Sequence, residues 1–522
     1  MRSDRRAVPA MLLLALALSS CGGTAGTVPA GTGHVSVYLT DAPSYAFDNV
    51  WVTVKAVWFH KVETAPYDNT ASGWVRFPLD NGATVNLAAL PGDSNVVKVF
   101  DNLALPAGTY RQILLFLAPT EGALMRSASD NGLAHNNQVD AGPLRAALRV
   151  PNATQGIRIA DRVFQVDNGA LLRIAIDLDV GRDVVPVNRG GISEFILKPR
   201  LRSFDLDNAG AIVGSIDLAA AADKTALFEV KAEQVDTGLN VRVVRRAAAV
   251  DNNTGRFVLY PLDPGSYDLV IRGIGHRTCI VTGVGPVARG STPAMNPATF
   301  TSPIAMDNAV LPDYRIGASL LPASSRVLFY QTMVGDSASY EIRVRHVDPF
   351  TGRFDNLVLS NDPILVAAYN SGSPSFAPGT ITEGSGGFTA IADAPFFGRG
   401  LPLSVTSAYD GHDITISSPS LSNPRTVSGT VTVPSGVALD NGVIFVVHGG
   451  QVVTKLQRTA ADTATGPHPY SIGGIPGGFE EGFYGVTALG WSNGGGVLAV
   501  ASPSAVADLR SGPDTVDLTM TR

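Results

Sequence analysis

With 522 residues the chain is long enough for three or four domains, each burying its own core. A formal charge of −6, from 39 basic and 45 acidic side chains, excludes the basic field that draws nucleic acid and the acidic tail that collects cations. Charged residues are only 16% while glycine (55) and proline (34) are frequent, which excludes a mainly helical chain and predicts an all-β one of short strands and tight turns.

The first segment, residues 1–20, has a basic start "MRSDRR", a short apolar run "MLLLALAL" and small residues before Cys21, the pattern of an export signal too short to span a membrane. "LSSC" resembles the bacterial lipobox, which implies that Cys21 is acylated and becomes the mature N-terminus. Gly22 in place of an aspartate makes outer-membrane sorting the expectation from that resemblance. Residues 21–32, "CGGTAGTVPAGT", read as a flexible tether. The expected partner is therefore the membrane, through the N-terminal lipid. Cys279 then has no intramolecular partner, and "HRTCIVTGV" reads as a strand in which it is a small buried hydrophobe. No later stretch approaches the about 18 apolar residues of a membrane helix.

The first folded region spans residues 33–207 and reads as a sandwich-like β domain. "HVSVYLT", "VWVTVKAVWFHKV", "QILLFLA", "LLRIAIDLDV" and "EFILKPRLRSF" are β-branched or aromatic runs broken by Gly, Pro and Asp-Asn pairs. The Asp-Asn pairs, at Asp48, Asp80, Asp101, Asp167, Asp207, Asp251 and Asp355, read as turn residues. In "LTDAP" Asp41 reads as a turn acceptor and Pro43 as a block to further pairing, while "LPAGTYRQI" is a turn delivering Tyr110 and Ile113 into the next strand. Asp177 and Asp179 lie two apart in "IDLDV", on one strand face, as paired carboxylates would for acid/base work or a metal. With no third ligand or positioned base, a solvated strand face is the reading adopted. "VSVYLTDAP", "GW" at Gly73, "LPAGTYRQILLFL", "GIRI", "LRIAIDLDV" and "FILKPRL" resemble the bacterial lipoprotein family called domain of unknown function 4382. That resemblance covers about a third of the chain and implies an exported β-rich domain without an assigned reaction.

A repeat begins near Ala209. "TGRFVLYPLDPGSYDLVIRGIG", "TGRFDNLVLSNDPILVAAYNSG" and "PHPYSIGGIPGGFEEGFYGVTALGW" each join two strands by a turn, and each follows a strand with an early glycine. Three Ig- or prealbumin-like β-sandwich modules are expected, at residues 208–300, 301–424 (the most degenerate) and 425–522. The first resembles the carboxypeptidase regulatory-like sandwich. By analogy with carbohydrate-binding modules of similar fold, Trp491 and Tyr484 are the candidate ligand platform, with Trp51, Trp58 and Trp74 as lesser candidates. Eight histidines are scattered without an H-E-x-x-H pair, and no G-x-S-x-G elbow, phosphate loop or dinucleotide fingerprint occurs. No metal, cofactor or catalytic residue is assigned. The expectation is a lipid-anchored envelope protein with a non-catalytic binding or structural role, partnered by envelope polysaccharide or another envelope protein and not by nucleic acid. The alternatives are a carbohydrate-binding surface lipoprotein and an envelope hydrolase.

Overall fold

The computed structural model describes residues 31–521 apart from 42–45, 66–71, 91–94, 121, 152, 190–191, 220–226, 274, 307–312, 319–320, 362, 460–464, 480–481, 493–496 and 502–505. The signal segment, Cys21 and the tether through residue 30 lie outside the described residues. The chain is all-β: among the described residues the only α-helices are the short Arg126–Asp130 and Val180–Asp183.

The N-terminal sandwich places a four-stranded sheet over a larger one. In the first sheet Thr32–Thr40 lies at the centre, parallel to Leu171–Asp177 and antiparallel to Val96–Pro106. Val35, Val37 and Leu39 point inward with period two, onto a core shared with Asn49–His60 of the second sheet. In Asn49–His60 the inward set is Val50, Val52 and Val54, then Val57 and Phe59. The phase changes because the register shifts between Val54 and Ala56, a β-bulge that turns the apolar set back to the core. The Asp-Asn pairs do similar work: Asp101–Asn102 and Asp355–Asn356 are not turns between strands but lie within strands at register shifts, with Asn102 at φ 52° and Asn356 at φ 53°.

Three further sandwiches share one strand order. In the second, Arg256–Leu262, Gly210–Ser215 and Ala298–Thr299 form one sheet, and Val241–Ala249, Phe228–Asp236, Gly265–Gly273 and Cys279–Val287 the other. In the third, Phe354–Ser360, Asp313–Ala318 and His412–Ile414 face Tyr340–His346, Arg326–Gln331, Phe388–Asp393 and Leu403–Val405 in the same order. The fourth repeats it around Pro424–Val433 and Asn441–His448. In all three the opening strand runs parallel to the closing one. The third departs at one place. Leu365–Ala368, the strand that follows the repeat's turn, leaves its own sandwich and pairs in parallel with Cys279–Val287 of the second. Cys279 is buried in the core of the second sandwich beside this junction.

One turn recurs in two sandwiches. Leu105–Tyr110 and Leu262–Tyr267 both place glycine at a left-handed position, Gly108 at φ 142° and Gly265 at φ 146°, which L side chains rarely adopt. Two residues on, a buried tyrosine donates its hydroxyl back to the carbonyl four residues earlier, Tyr110 to Pro106 at 2.8 Å and Tyr267 to Asp263 at 2.6 Å.

Candidate functional site: a buried charged seam and its clefts

The turn after Leu171–Asp177 is where the second and third sandwiches close on the first, and its charged side chains are inside. Asp177, read from sequence as solvated, is buried because Arg246 of the second sandwich crosses the seam. The guanidinium of Arg246 donates to the Asp177 carboxylate, to Thr40 Oγ1 at 2.8 Å and to the Asp41 carbonyl at 2.6 Å. Asp179 does not share the strand. It caps the helix Val180–Asp183, accepting the Arg182 N–H at 3.2 Å, and Arg182 reaches on to Glu341 of the third sandwich at 2.6 Å. The carboxylates are thus committed to an arginine and a helix cap and not set as an acid and base around a substrate.

Asp41 also differs from expectation. Its Oδ1 accepts the Val180 N–H at 2.8 Å across the fold, and its Oδ2, fully buried, has no hydrogen-bond partner. Burial raises its pKa well above the ordinary carboxylate range, the Val180 hydrogen bond opposes that rise, and Asp179 and Asp177 add to it. Burial likewise pushes Asp179 up to about 8, against the pull of Arg182, and Asp183 up to about 7, against its hydrogen bond from Arg200. In each case burial works against the charged form because taking a carboxylate out of water is costly.

The cations are equally buried. Lys198 Nζ, fully enclosed, donates to the carbonyls of Ala323 at 2.8 Å, Ser325 at 3.1 Å and Val347 at 3.1 Å, tying the N-terminal sandwich to the third. Burial, then neighbouring Arg200, pulls its pKa well below the usual lysine value. Lys231 donates to the Ile342 carbonyl at 2.8 Å, joining the second sandwich to the third. No motif in the sequence marks Lys198, Arg246 or Glu341. A signal for the cations existed: "FILKPRLRSF" and "VRVVRRAAA" carry them inside apolar strands, where a charge must find a partner.

Two of the clefts open along this seam. The larger, about 740 Å³, lies between Val184–Arg189 with Ile192–Leu197 on one side and the end of Tyr340–His346 on the other, and is lined by Asn188, Ser193, Arg345 and Asp348. The smaller, about 300 Å³, lies where the N-terminal, third and fourth sandwiches meet.

The aromatic residues proposed as a platform sit elsewhere. Trp491 is only 3% exposed and meets Phe350 edge-on at 6.4 Å, in an apolar layer where Val185, Val187 and Ile196 pack against the fourth sandwich. Tyr484 is fully buried, its hydroxyl donating to the Pro476 carbonyl at 2.6 Å. Neither offers an open face to a sugar, because the strand that carries them, Phe483–Trp491, is buried throughout. Trp58 is half-buried between Trp74 and Phe116, with the Arg76 guanidinium 4.4 Å over its ring; Trp74 is buried and Trp51 half-buried. Among the described residues no group of three or more His, Cys, Asp or Glu side chains converges as a metal site, and no helix is long and apolar enough to cross a membrane.

Among solved structures the chain is similar to the shaft pilin SpaA of Lactobacillus rhamnosus GG at 8% identity, over 40% of this chain and 98% of that one, with a TM-score of 0.17. It is similar to the major pilin subunit BcpA of Bacillus cereus at 9% identity, over 60% of this chain and 99% of that one, with a TM-score of 0.13. Likenesses this slight carry no argument about function. No curated protein matches the chain. Residues 32–199, the N-terminal sandwich, match the family described as a domain of unknown function (DUF4382).

Proposed function

We propose that this chain is a lipid-anchored protein of the bacterial cell envelope with a non-catalytic structural or binding role. Cys21 carries the lipid, the tether spaces the fold from the outer membrane, and the sandwiches form a rigid block beyond it. One observation carries the structural part: Asp177, Lys198, Arg246 and Glu341 are buried in contacts between sandwiches, with the half-buried Arg182 reaching Glu341, so these charges fix domains to one another. The second sandwich is read as carboxypeptidase regulatory-like on its Pro-Gly-x-Tyr turn.

The test is intact-mass analysis with membrane fractionation of the expressed protein beside Cys21→Ala. The wild type is expected to begin at an acylated Cys21 and to fractionate with membrane, and the variant to lose both properties. A wild type that is soluble and cleaved elsewhere overturns the anchor. Turnover of any member of a panel of chromogenic ester, glycoside and peptide substrates overturns the non-catalytic role.

A further inference from the structure

We propose that the end of the N-terminal sandwich from which the tether leaves lies against the lipid bilayer, with Val62, Val163 and Leu171 as its contact. The inference rests on the lipid at Cys21. Gly31, the first described residue, fixes where the chain departs. Its carbonyl accepts the Ala107 N–H at 2.6 Å, and the next carbonyl, of Thr32, accepts the Gly169 N–H at 2.9 Å. This is the opposite end of the nine-residue strand Thr32–Thr40 from the buried seam, where Thr40 meets Arg246. Gly31 is ten positions on from Cys21, a span of at most about 36 Å at about 3.6 Å per residue.

Three apolar side chains surround that departure point. Val62 is 53% exposed, Val163 51% and Leu171 51%, the most exposed large apolar side chains of this sandwich among the described residues. Each is tied to the start of the fold through its backbone neighbours. Lys61, beside Val62, donates its Nζ to the Ala107 carbonyl at 3.0 Å, Leu171 is in register with His34, and Val163 leads into Phe164–Val166, which pairs with Gly108–Tyr110. Val163 and Leu171 also line one cleft of about 480 Å³, so the two are neighbours. Leu144, 36% exposed, marks the opposite end of the sandwich: the twelve-residue strand Asn49–His60 starts opposite Asp140, beside the turn from Ala141 to Leu144, and ends just before Val62. Apolar residues scattered singly over a surface are ordinary, whereas three gathered where an anchor leaves form a patch. The exposed charges beside them carry both signs, Lys61 and Arg111 against Glu63 and Asp167, so the contact is apolar and needs no anionic lipid. A patch this small binds weakly by itself, but a short tether holds it at an effective concentration of about a millimolar, which lets a weak contact decide which end faces the membrane.

The experiment uses the chain from Gly22 with a histidine tag in place of Cys21, held on vesicles of phosphatidylethanolamine and phosphatidylglycerol by a nickel-chelating lipid, so that it reads docking whether or not Cys21 is acylated. Val62→Cys, Val163→Cys and Leu144→Cys are made singly and labelled with a fluorophore; Cys279 is fully buried and stays unlabelled. Side chains seated in the interface lie about 5–10 Å into it, so quenching by a nitroxide-bearing lipid is expected to be about threefold or more stronger at positions 62 and 163 than at 144. Tethering alone also brings this end near the bilayer, and a second variant separates the two causes. Val163→Glu with Leu171→Glu changes only exposed positions, so it is expected to keep the wild-type Tm and vesicle capture yet lose most of the quenching at position 62. Equal quenching at the three positions, or quenching at position 62 that the double variant retains, overturns the proposal. Acylation of Cys21 is read separately by intact mass, so a failed anchor and a failed docking surface give different results.

Discussion

At the Asp177–Arg246 pair a carboxylate and a guanidinium from two different sandwiches meet out of water, with Thr40 and the Asp41 carbonyl both accepting from the second terminal nitrogen of the arginine. Removing one partner leaves the other as an unpaired buried charge, a loss of about 3–5 kcal/mol, whereas replacing both by apolar groups is often neutral or better. Arg246→Met is therefore expected to lower the urea midpoint strongly, and Arg246→Met with Asp177→Leu to recover most of it. A single variant that costs less than about 1 kcal/mol would mean that water already reaches the pair. This pair also shows where single-residue reading runs out. Val35, Val37 and Leu39 were legible as a buried face because alternation is local. Asp177 reads as solvated in sequence because its partner lies 69 residues on, in another sandwich, and spacing says nothing about a contact at that range. Trp491 is no platform for a related reason: a large aromatic near glycines looks exposed until the neighbouring sandwich is placed on it, whereas Tyr484 lies in the core of its own sandwich.

Among the elements, the strand Leu365–Ala368 joins two sandwiches that the repeat alone would separate. The repeat was legible because each sandwich reuses one strand order, so its opening strands and its turns recur along the chain. The middle copy looked degenerate for a physical reason: after its turn the chain leaves to add an edge to the second sandwich, and the strand that takes its place in the third is Phe388–Asp393. Such a crossing ties the two sandwiches by backbone hydrogen bonds, and we expect them to unfold as one cooperative unit. The Leu365 N–H donates to the Thr278 carbonyl at 2.9 Å, and the Tyr369 N–H to Thr282 at 2.8 Å. Leu365→Pro removes the first of these bonds and is expected to split one calorimetric transition of the second and third sandwiches into two. If the variant still melts in one step, the coupling resides in the Lys231 and Arg242 contacts with the third sandwich instead.

For the molecule as a whole, the seam makes stability depend on protons in two opposing ways. Asp179 has an ordinary value of 3.8 and is pushed up to about 8 by burial, with Arg182 pulling down and Asp183, Asp177 and Glu229 adding to the rise. Between about pH 4 and pH 8 the folded state therefore holds a proton that the unfolded chain has released, and this contribution to stability is lost as pH rises through that window. Asp183, pushed up to about 7, acts in the same sense. His448 acts in the other: burial pulls it down to about 3 from 6.5, so below 6.5 the unfolded chain takes up a proton that the fold refuses, and stability falls as pH falls. Comparing variants isolates each contribution. Asn resembles protonated Asp in shape, caps a helix equally well and cannot ionise. Asp179→Asn is therefore expected to melt close to the wild type at pH 5 and clearly above it at pH 9, as measured by Tm across the range. The reverse outcome, a variant less stable at every pH, would mean that Asp179 is ionised and that its ion pair with Arg182 holds the seam. The two outcomes separate a junction closed by neutral acids, tightest in mildly acidic surroundings, from one closed by charge.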